Sequence, residues 1–145
     1  MPTPTSPLFP ALRAASFIAF ATLTGLLIGC RSHPAVPDTT EAPFAGPAIT
    51  IDSSADTHIL AVDSPSPGWA FTLDRVLEAH GHRRAFVSLR RPNPGYLMAQ
   101  VIVTQRLSTG VRTDKQVRVL ARFLDYDAPA DVNTSYAPAA VGPAR

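Results

Sequence analysis

One cysteine, one lysine, one tryptophan and two methionines are all that 145 residues contain of these types. A lone cysteine, Cys30, excludes an internal disulfide, and a structural zinc site needs several sulfur or imidazole ligands at close spacing. Lysine stands only at Lys115, so arginine carries almost all the positive charge behind the net +2. With 15 prolines and abundant alanine, that skew reads as the codon usage of a GC-rich genome. No basic cluster is interleaved with aromatics, so nucleic acid is not an expected partner. No second hydrophobic block follows the N-terminal one, and this length supports one domain.

The longest uncharged run is AASFIAFATLTGLLIG, sixteen residues ending at Gly29, preceded by a polar leader whose only charged side chain is Arg13. It fits the apolar region of a signal peptide and falls short of the ~20 residues a spanning helix needs. It runs into Leu27-Ile28-Gly29-Cys30, which resembles the lipobox of bacterial lipoproteins. The resemblance implies cleavage between Gly29 and Cys30, with small Gly29 admitting the peptidase and Leu27 filling an apolar pocket. The Cys30 thiol would then take a diacylglyceryl group, since a thiolate attacks carbon better than a hydroxyl does at neutral pH. Acylation of the new amino group, by palmitate for instance, would add a further chain. At ~0.8 kcal/mol per buried CH₂, one chain holds marginally while two or three hold permanently. Arg31 stands where an aspartate commonly signals inner-membrane retention. The expected location is the bacterial outer membrane, facing the periplasm.

Four segments are expected: a signal peptide over 1–29, a lipidated Cys30 with a proline-rich tether to 47, a folded domain over 48–127, and a disordered tail over 128–145. Pro34, Pro37, Pro43 and Pro47 deny the tether regular hydrogen bonding. Its reach is roughly 25 Å as a coil and about 50 Å as polyproline, enough to hold the domain clear of lipid. The tail is Ala, Pro, Ser and Asn without apolar periodicity. Asn133-Thr134-Ser135 has the spacing of a glycosylation sequon, which carries little meaning in a bacterial setting.

Within the domain the apolar residues repeat every second position. Trp69, Phe71 and Leu73 alternate with Ala70, Thr72 and Asp74; Val101 and Val103 alternate with Gln100, Ile102 and Thr104; Val117, Val119, Ala121 and Phe123 alternate with Arg118, Leu120 and Arg122. Turn residues separate these runs at Ser64–Gly68, His80–His82, Pro92–Gly95 and Ser108–Gly110. The pattern predicts an all-β domain: a small antiparallel β-sandwich, immunoglobulin-like or a partly open barrel. Residues 72–81 also suit one short helix capped by Thr72 and closed by Gly81, but the flanking Trp69, Phe71 and Phe86–Leu89 favour a hairpin.

Gly68-Trp69, the alternation after it, Val87 and Leu89, then Pro92-x-Pro94-Gly95 and Gln100 resemble the C-terminal domain of the PrcB family of protease-complex lipoproteins. The resemblance covers about 40 residues and implies a role in stabilising a partner protease. Gln105-Arg106-Leu107 stands where that family usually has a proline-aromatic pair, which leaves the details of partner binding open.

Charge is unevenly distributed. Seven acidic residues face one arginine between Ser32 and His82, whereas Arg83 to Arg122 holds nine basic residues and only Asp114. Arg106, Arg118 and Arg122 fall opposite the Val/Phe face beside Ile102 and Leu120, a mix enriched in protein interfaces and also suited to anionic headgroups. That face is the expected contact with an envelope partner; the alternative is that early acids and late bases neutralise one another across strands. His80 and His82, with His58 or Glu78, are the residues a metal-dependent enzyme would use, but no third ligand has a convincing spacing. Asp125 and Asp127 suit an acid/base pair or simply an exposed strand end. Without a nucleophile elbow or a phosphate-cradling glycine loop, no catalytic residue, metal or cofactor is expected. The expected function is that of an anchored accessory domain acting by binding. A small metal-dependent envelope enzyme and a purely structural lipoprotein are the alternatives.

Overall fold

Seven strands and no helix make up the regular structure of the described residues. A computed structural model describes Val36, residues 38–130 and residues 134–145. Gly29, Cys30 and the leader lie outside the described residues, as does Asn133. The strands are β1 (Ile49–Asp52), β2 (Thr57–Ser64), β3 (Ala70–Ala79), β4 (His82–Arg90), β5 (Val103–Arg112), β6 (Gln116–Leu124) and β7 (Ala137–Gly142). They form a three-stranded sheet ordered β1-β2-β5 and a four-stranded sheet ordered β3-β4-β6-β7. The two sheets remain separate, making a small sandwich and not a closed barrel.

The period-two pattern explains the inner layer. Leu60 and Val62 of β2, Phe71 of β3, Val87 and Leu89 of β4, and Val119 and Ala121 of β6 pack together, joined by Ile49 and flanked by Leu107 and Phe123. Gln105 of β5 links the sheets by completing the start of β3. Its Nε2 donates to the Trp69 carbonyl at 2.8 Å and to Ser64 Oγ at 2.9 Å, while its Oε1 accepts from the Phe71 amide at 3.0 Å. A side-chain amide, carrying both donor and acceptor, here stands in for a strand's backbone.

Residues 72–81 belong to the hairpin and not to a helix. β3 pairs antiparallel with β4 from Ala70 opposite Arg90 to Ala79 opposite His82. His80 and Gly81 form the tip, and Gly81 has φ +75, a left-handed conformation that costs glycine nothing.

The expected all-β sandwich forms, with several finer expectations revised. The sandwich is not wholly antiparallel: β4 and β6 run parallel through all nine residues of β6. Chain order explains this, because β5 lies in the other sheet and the path β4–β5–β6 is the crossover that a parallel pair requires. Ser108–Gly110 is no turn but lies inside β5, where Gly110 has φ +66 beside a register shift. Val101 and Ile102 precede β5 and are exposed.

The tail also folds. Ala137–Gly142 is β7, paired antiparallel with β6, and Tyr136 just before it is buried. Nor is the tether free throughout its length. The Asp38 carbonyl accepts from the Tyr136 amide at 2.9 Å, the Thr40 amide donates to Tyr136 O at 2.9 Å, and the Phe44 amide donates to Pro138 O at 2.8 Å. Residues 38–44 thus line the outer edge of β7, with the Phe44 ring 4.9 Å from that of Phe123. Neither segment has the apolar periodicity that marks a strand; both borrow hydrogen bonds from a sheet edge that already exists.

Candidate interaction face

The five residues expected to form one face do not come together. Arg106 lies opposite Ala61 on the outer surface of the three-stranded sheet, while Arg118, Leu120 and Arg122 lie on the outer surface of the four-stranded sheet. The core separates the two surfaces. Ile102 is in the loop before β5, and Leu120 is only 8% exposed.

Arg106 has acidic neighbours on its own sheet. A shallow cavity there is lined by Thr50, Ala61, Asp63, Thr104 and Arg106. The Asp52 carboxyl is held below its usual range first by hydrogen bonding from Ser54 and more weakly by Arg106. This surface is mixed in charge.

Arg122 is buried and structural. Its Nε donates to Ser88 Oγ at 2.8 Å and lies 3.7 Å from Asp74 Oδ2, and an Nη hydrogen-bonds the Ala130 carbonyl. Asp74 Oδ2 in turn accepts from Ser88 Oγ at 2.5 Å and from the Tyr136 hydroxyl at 2.9 Å. The guanidinium carbon sits 4.5 Å from the centroid of the Tyr136 ring, which meets Phe86 edge-on at 5.0 Å. With Leu120 and Leu77, Phe86 and Tyr136 form a second small core on the outside of the sheet. The sequence places an arginine among these apolar residues, and it is accommodated because a carboxylate and a hydroxyl complete its hydrogen bonding.

Burial and the Asp74 carboxylate together push the Tyr136 hydroxyl up to about 12. An unfolded tyrosine ionises near 10, so the folded state retains a proton that the unfolded state releases between those values. Stability is therefore expected to be unaffected by this group below pH 10 and to fall as pH rises toward 12. Urea midpoints measured from pH 8 to 11.5 should show the decline, and Tyr136→Phe should flatten it.

What is left of the expected face is Arg118, and the fold gives it a neighbour the sequence pattern did not. Parallel pairing sets Arg84 of β4 directly opposite Arg118 of β6. Leu77 of β3 lies opposite Arg84 on one side and exposed Val141 of β7 opposite Arg118 on the other. Neighbouring strands are ~4.8 Å apart, so two guanidinium stems emerge side by side. Neither has an ion-pair partner among the described residues, and Arg84 Nε is buried with no hydrogen-bond acceptor. The only carboxylate of β3 near this surface, Asp74, is already committed to Arg122, Ser88 and Tyr136. Like charges facing each other across strands are unfavourable. No family model, curated protein or solved structure matches this chain. What the face does must be read from its own chemistry.

Other candidates are satisfied internally. A cleft of about 450 Å³ is lined by Val76, Arg83, Thr109, Val111, Arg112 and Lys115, among others. Its cations have ion-pair partners within the chain, Arg83 in Glu78 at 2.8 Å, while Arg112 and Lys115 share Asp114 at 3.6 and 4.0 Å. His58 is fully buried, with Nε2 donating to the Lys115 carbonyl at 2.8 Å and Nδ1 bonded to Ser53 Oγ at 2.8 Å. Both ring nitrogens are engaged, so His58 offers no lone pair to a metal. His80 and His82 stand at the hairpin tip, where His82 Nδ1 bonds the His80 carbonyl. Among the described residues no three His, Cys, Asp or Glu side chains gather as ligands. Asp125 pairs with Arg91 at 3.5 Å, and Arg90 clasps the carbonyls of Asp125, Tyr126 and Ala128. Those contacts hold the chain after β6 in place, and Asp127 is exposed beside them.

Proposed function

We propose that this is a lipid-anchored protein of the bacterial envelope whose β-sandwich acts by binding an envelope partner in an accessory, stabilising role. Anchoring falls to Cys30, on the lipobox-like sequence before it, and the expected setting is the periplasmic side of the outer membrane. The observation that carries the binding reading is the Arg84–Arg118 pair: two adjacent cations with no ion-pair partner among the described residues. A carboxylate from a partner placed between the two guanidinium ends would relieve the repulsion. Leu77 and Val141 flank the pair and give the contact an apolar margin of the kind interfaces use.

The partner chemistry this favours is an acidic protein surface. Its resemblance to the PrcB family over Gly68–Gln100 is in keeping with such a role, toward a protease or another envelope protein. Binding through this face needs no catalytic group.

A photo-crosslinking amino acid placed at Arg118 in the full-length protein, expressed in its native envelope, tests the face. A discrete protein adduct is expected at position 118 and not at position 106, and Arg84→Glu should diminish it. Equal adducts at both positions, or adducts indifferent to Arg84→Glu, would reject this face as the interface.

A further inference from the structure

The two ends of the sandwich differ in character. One end carries the connection from β2 to β3, the loop from β4 to β5 and the residues after β6, as the pairing of Ala70 with Arg90 and of Ser64 with Val103 requires. The Gln105 side chain and the bond from the Arg91 amide to the Leu124 carbonyl at 2.9 Å bring these connections together. The opposite end carries the turn before β2, the β3–β4 tip and the turn before β6, where the Thr113 amide donates to Asp56 O at 3.0 Å and the Arg145 amide to Thr113 O at 2.8 Å.

The opposite end is polar: Ser54, Asp56, Glu78, His80, Asp114 and Lys115 stand there, all exposed. The first end carries the exposed Asp125 and Asp127 after β6, but its longest connection is uncharged and apolar. Residues 92–102 of the β4–β5 loop, PNPGYLMAQVI, include no charge, and four of them present large apolar side chains to solvent: Tyr96 at 67%, Leu97 at 105%, Val101 at 58% and Ile102 at 73%. Tyr126, after β6, is exposed beside them. Apart from Val36 in the lead-in and Val141 on β7, these are all the large exposed hydrophobics among the described residues. Such clustering marks a contact surface, since scattered single residues are the ordinary case.

The lead-in enters at the same end. Thr39 pairs parallel with Tyr136, and residues 38–44 run beside β7 in its own direction. β7 starts opposite Ala121 and finishes opposite Val117, so the chain comes in from the side where β6 ends at Leu124. Thr39 is nine positions after Cys30. Fully extended, that span reaches at most ~30 Å. Entering there, the lead-in makes this end the one that an anchored Cys30 reaches by the shortest path.

We propose that the β4–β5 loop, with Leu97 at its tip and Tyr96, Val101 and Ile102 around it, seats in the interface of the phospholipid bilayer to which Cys30 is attached. The side of approach rests on the anchored reading above; the apolar end does not. Apolar side chains enter the boundary between headgroup and acyl chain, Tyr96 and Tyr126 lie at headgroup level, and Arg90 and Arg91 stand just before the loop at its inner margin. Docking of this kind fixes the orientation of the domain and directs the Arg84–Arg118 face sideways, along the membrane.

The test is photolabelling of the full-length protein in its native membrane with a phospholipid carrying a diazirine on its acyl chain, with adducts mapped by mass spectrometry. Peptides containing Tyr96–Ile102 should be labelled about tenfold more than those containing Ser54–Asp56 or Asp114–Lys115. Leu97→Asp with Ile102→Asp, both at exposed positions, should bring loop labelling down to the level of the polar end. Labelling of the loop no greater than of the polar end overturns the proposal, and a photo-crosslinking amino acid placed at Leu97 that gives protein adducts and no lipid adducts overturns it in favour of a protein partner. The intact mass of the N-terminal peptide from the same sample reads lipidation separately. A lipidated chain with an unlabelled loop removes this inference alone, and a labelled loop on a chain with unmodified Cys30 removes only the anchor.

Discussion

Arg122→Met is expected to destabilise the domain by about 3 kcal/mol, the typical cost of breaking a buried ion pair from one side. The arginine side chain is 5% exposed and Asp74 17%, so solvent does little to screen either charge. Removing the guanidinium leaves Asp74, among the described residues, with the Ser88 and Tyr136 hydroxyls as side-chain donors. It also takes away the cation resting on the Tyr136 ring and the donor to the Ala130 carbonyl. Urea unfolding followed by far-ultraviolet circular dichroism measures the loss. Methionine keeps most of the volume, so the effect is one of charge and hydrogen bonding and not of a cavity. The double variant Asp74→Leu, Arg122→Met should recover part of it, because an apolar pair has no charge to leave uncompensated. A loss below about 1 kcal/mol in the single variant would mean that the cluster is solvated.

Truncation after Ala130 is expected to be the most damaging single change, and a sequence reading alone would call it harmless. It removes Tyr136, 3% exposed and packed on Phe86 and Leu120, and it removes the hydrogen bonds of β7 to β6. Loss of a buried aromatic side chain alone costs about 3–5 kcal/mol. It also strips residues 38–44 of the backbone partners at Tyr136 and Pro138. A small domain has on the order of 5–15 kcal/mol in all. The truncated chain should therefore lose its cooperative thermal transition, while a chain ending after Pro143 should melt close to the full-length temperature. A truncated protein that still melts cooperatively within a few degrees of the intact one would show that β7 is dispensable.

The arginines show how far each level of description reaches. Arg106, Arg118 and Arg122 look equivalent in an alternating pattern, yet one is exposed among carboxylates, one is exposed beside a second cation, and one is buried. Alternation assigns a side chain to the inner or outer side of its own strand. It says nothing about which sheet the strand joins or what covers the outer surface. The Arg84–Arg118 neighbourhood has no sequence signal at all, since 34 positions separate the two residues. It exists only because β4 and β6 pair in parallel, with β5 given to the other sheet.

By itself the sequence determined what is local. The period-two runs made strands because a pleated backbone turns successive side chains to opposite sides. Glycine at the hairpin tip let β3 turn back into β4, and the shortage of cysteine left burial and hydrogen bonding to stabilise the fold. Only the tertiary structure decided the rest: the parallel central pair, the second small core around Phe86 and Tyr136, and the ordering of residues 38–44 and 137–142. These depend on partners distant along the chain. An edge strand without apolar periodicity is stabilised by the neighbour whose open backbone groups it satisfies, and no pattern within the segment records that neighbour.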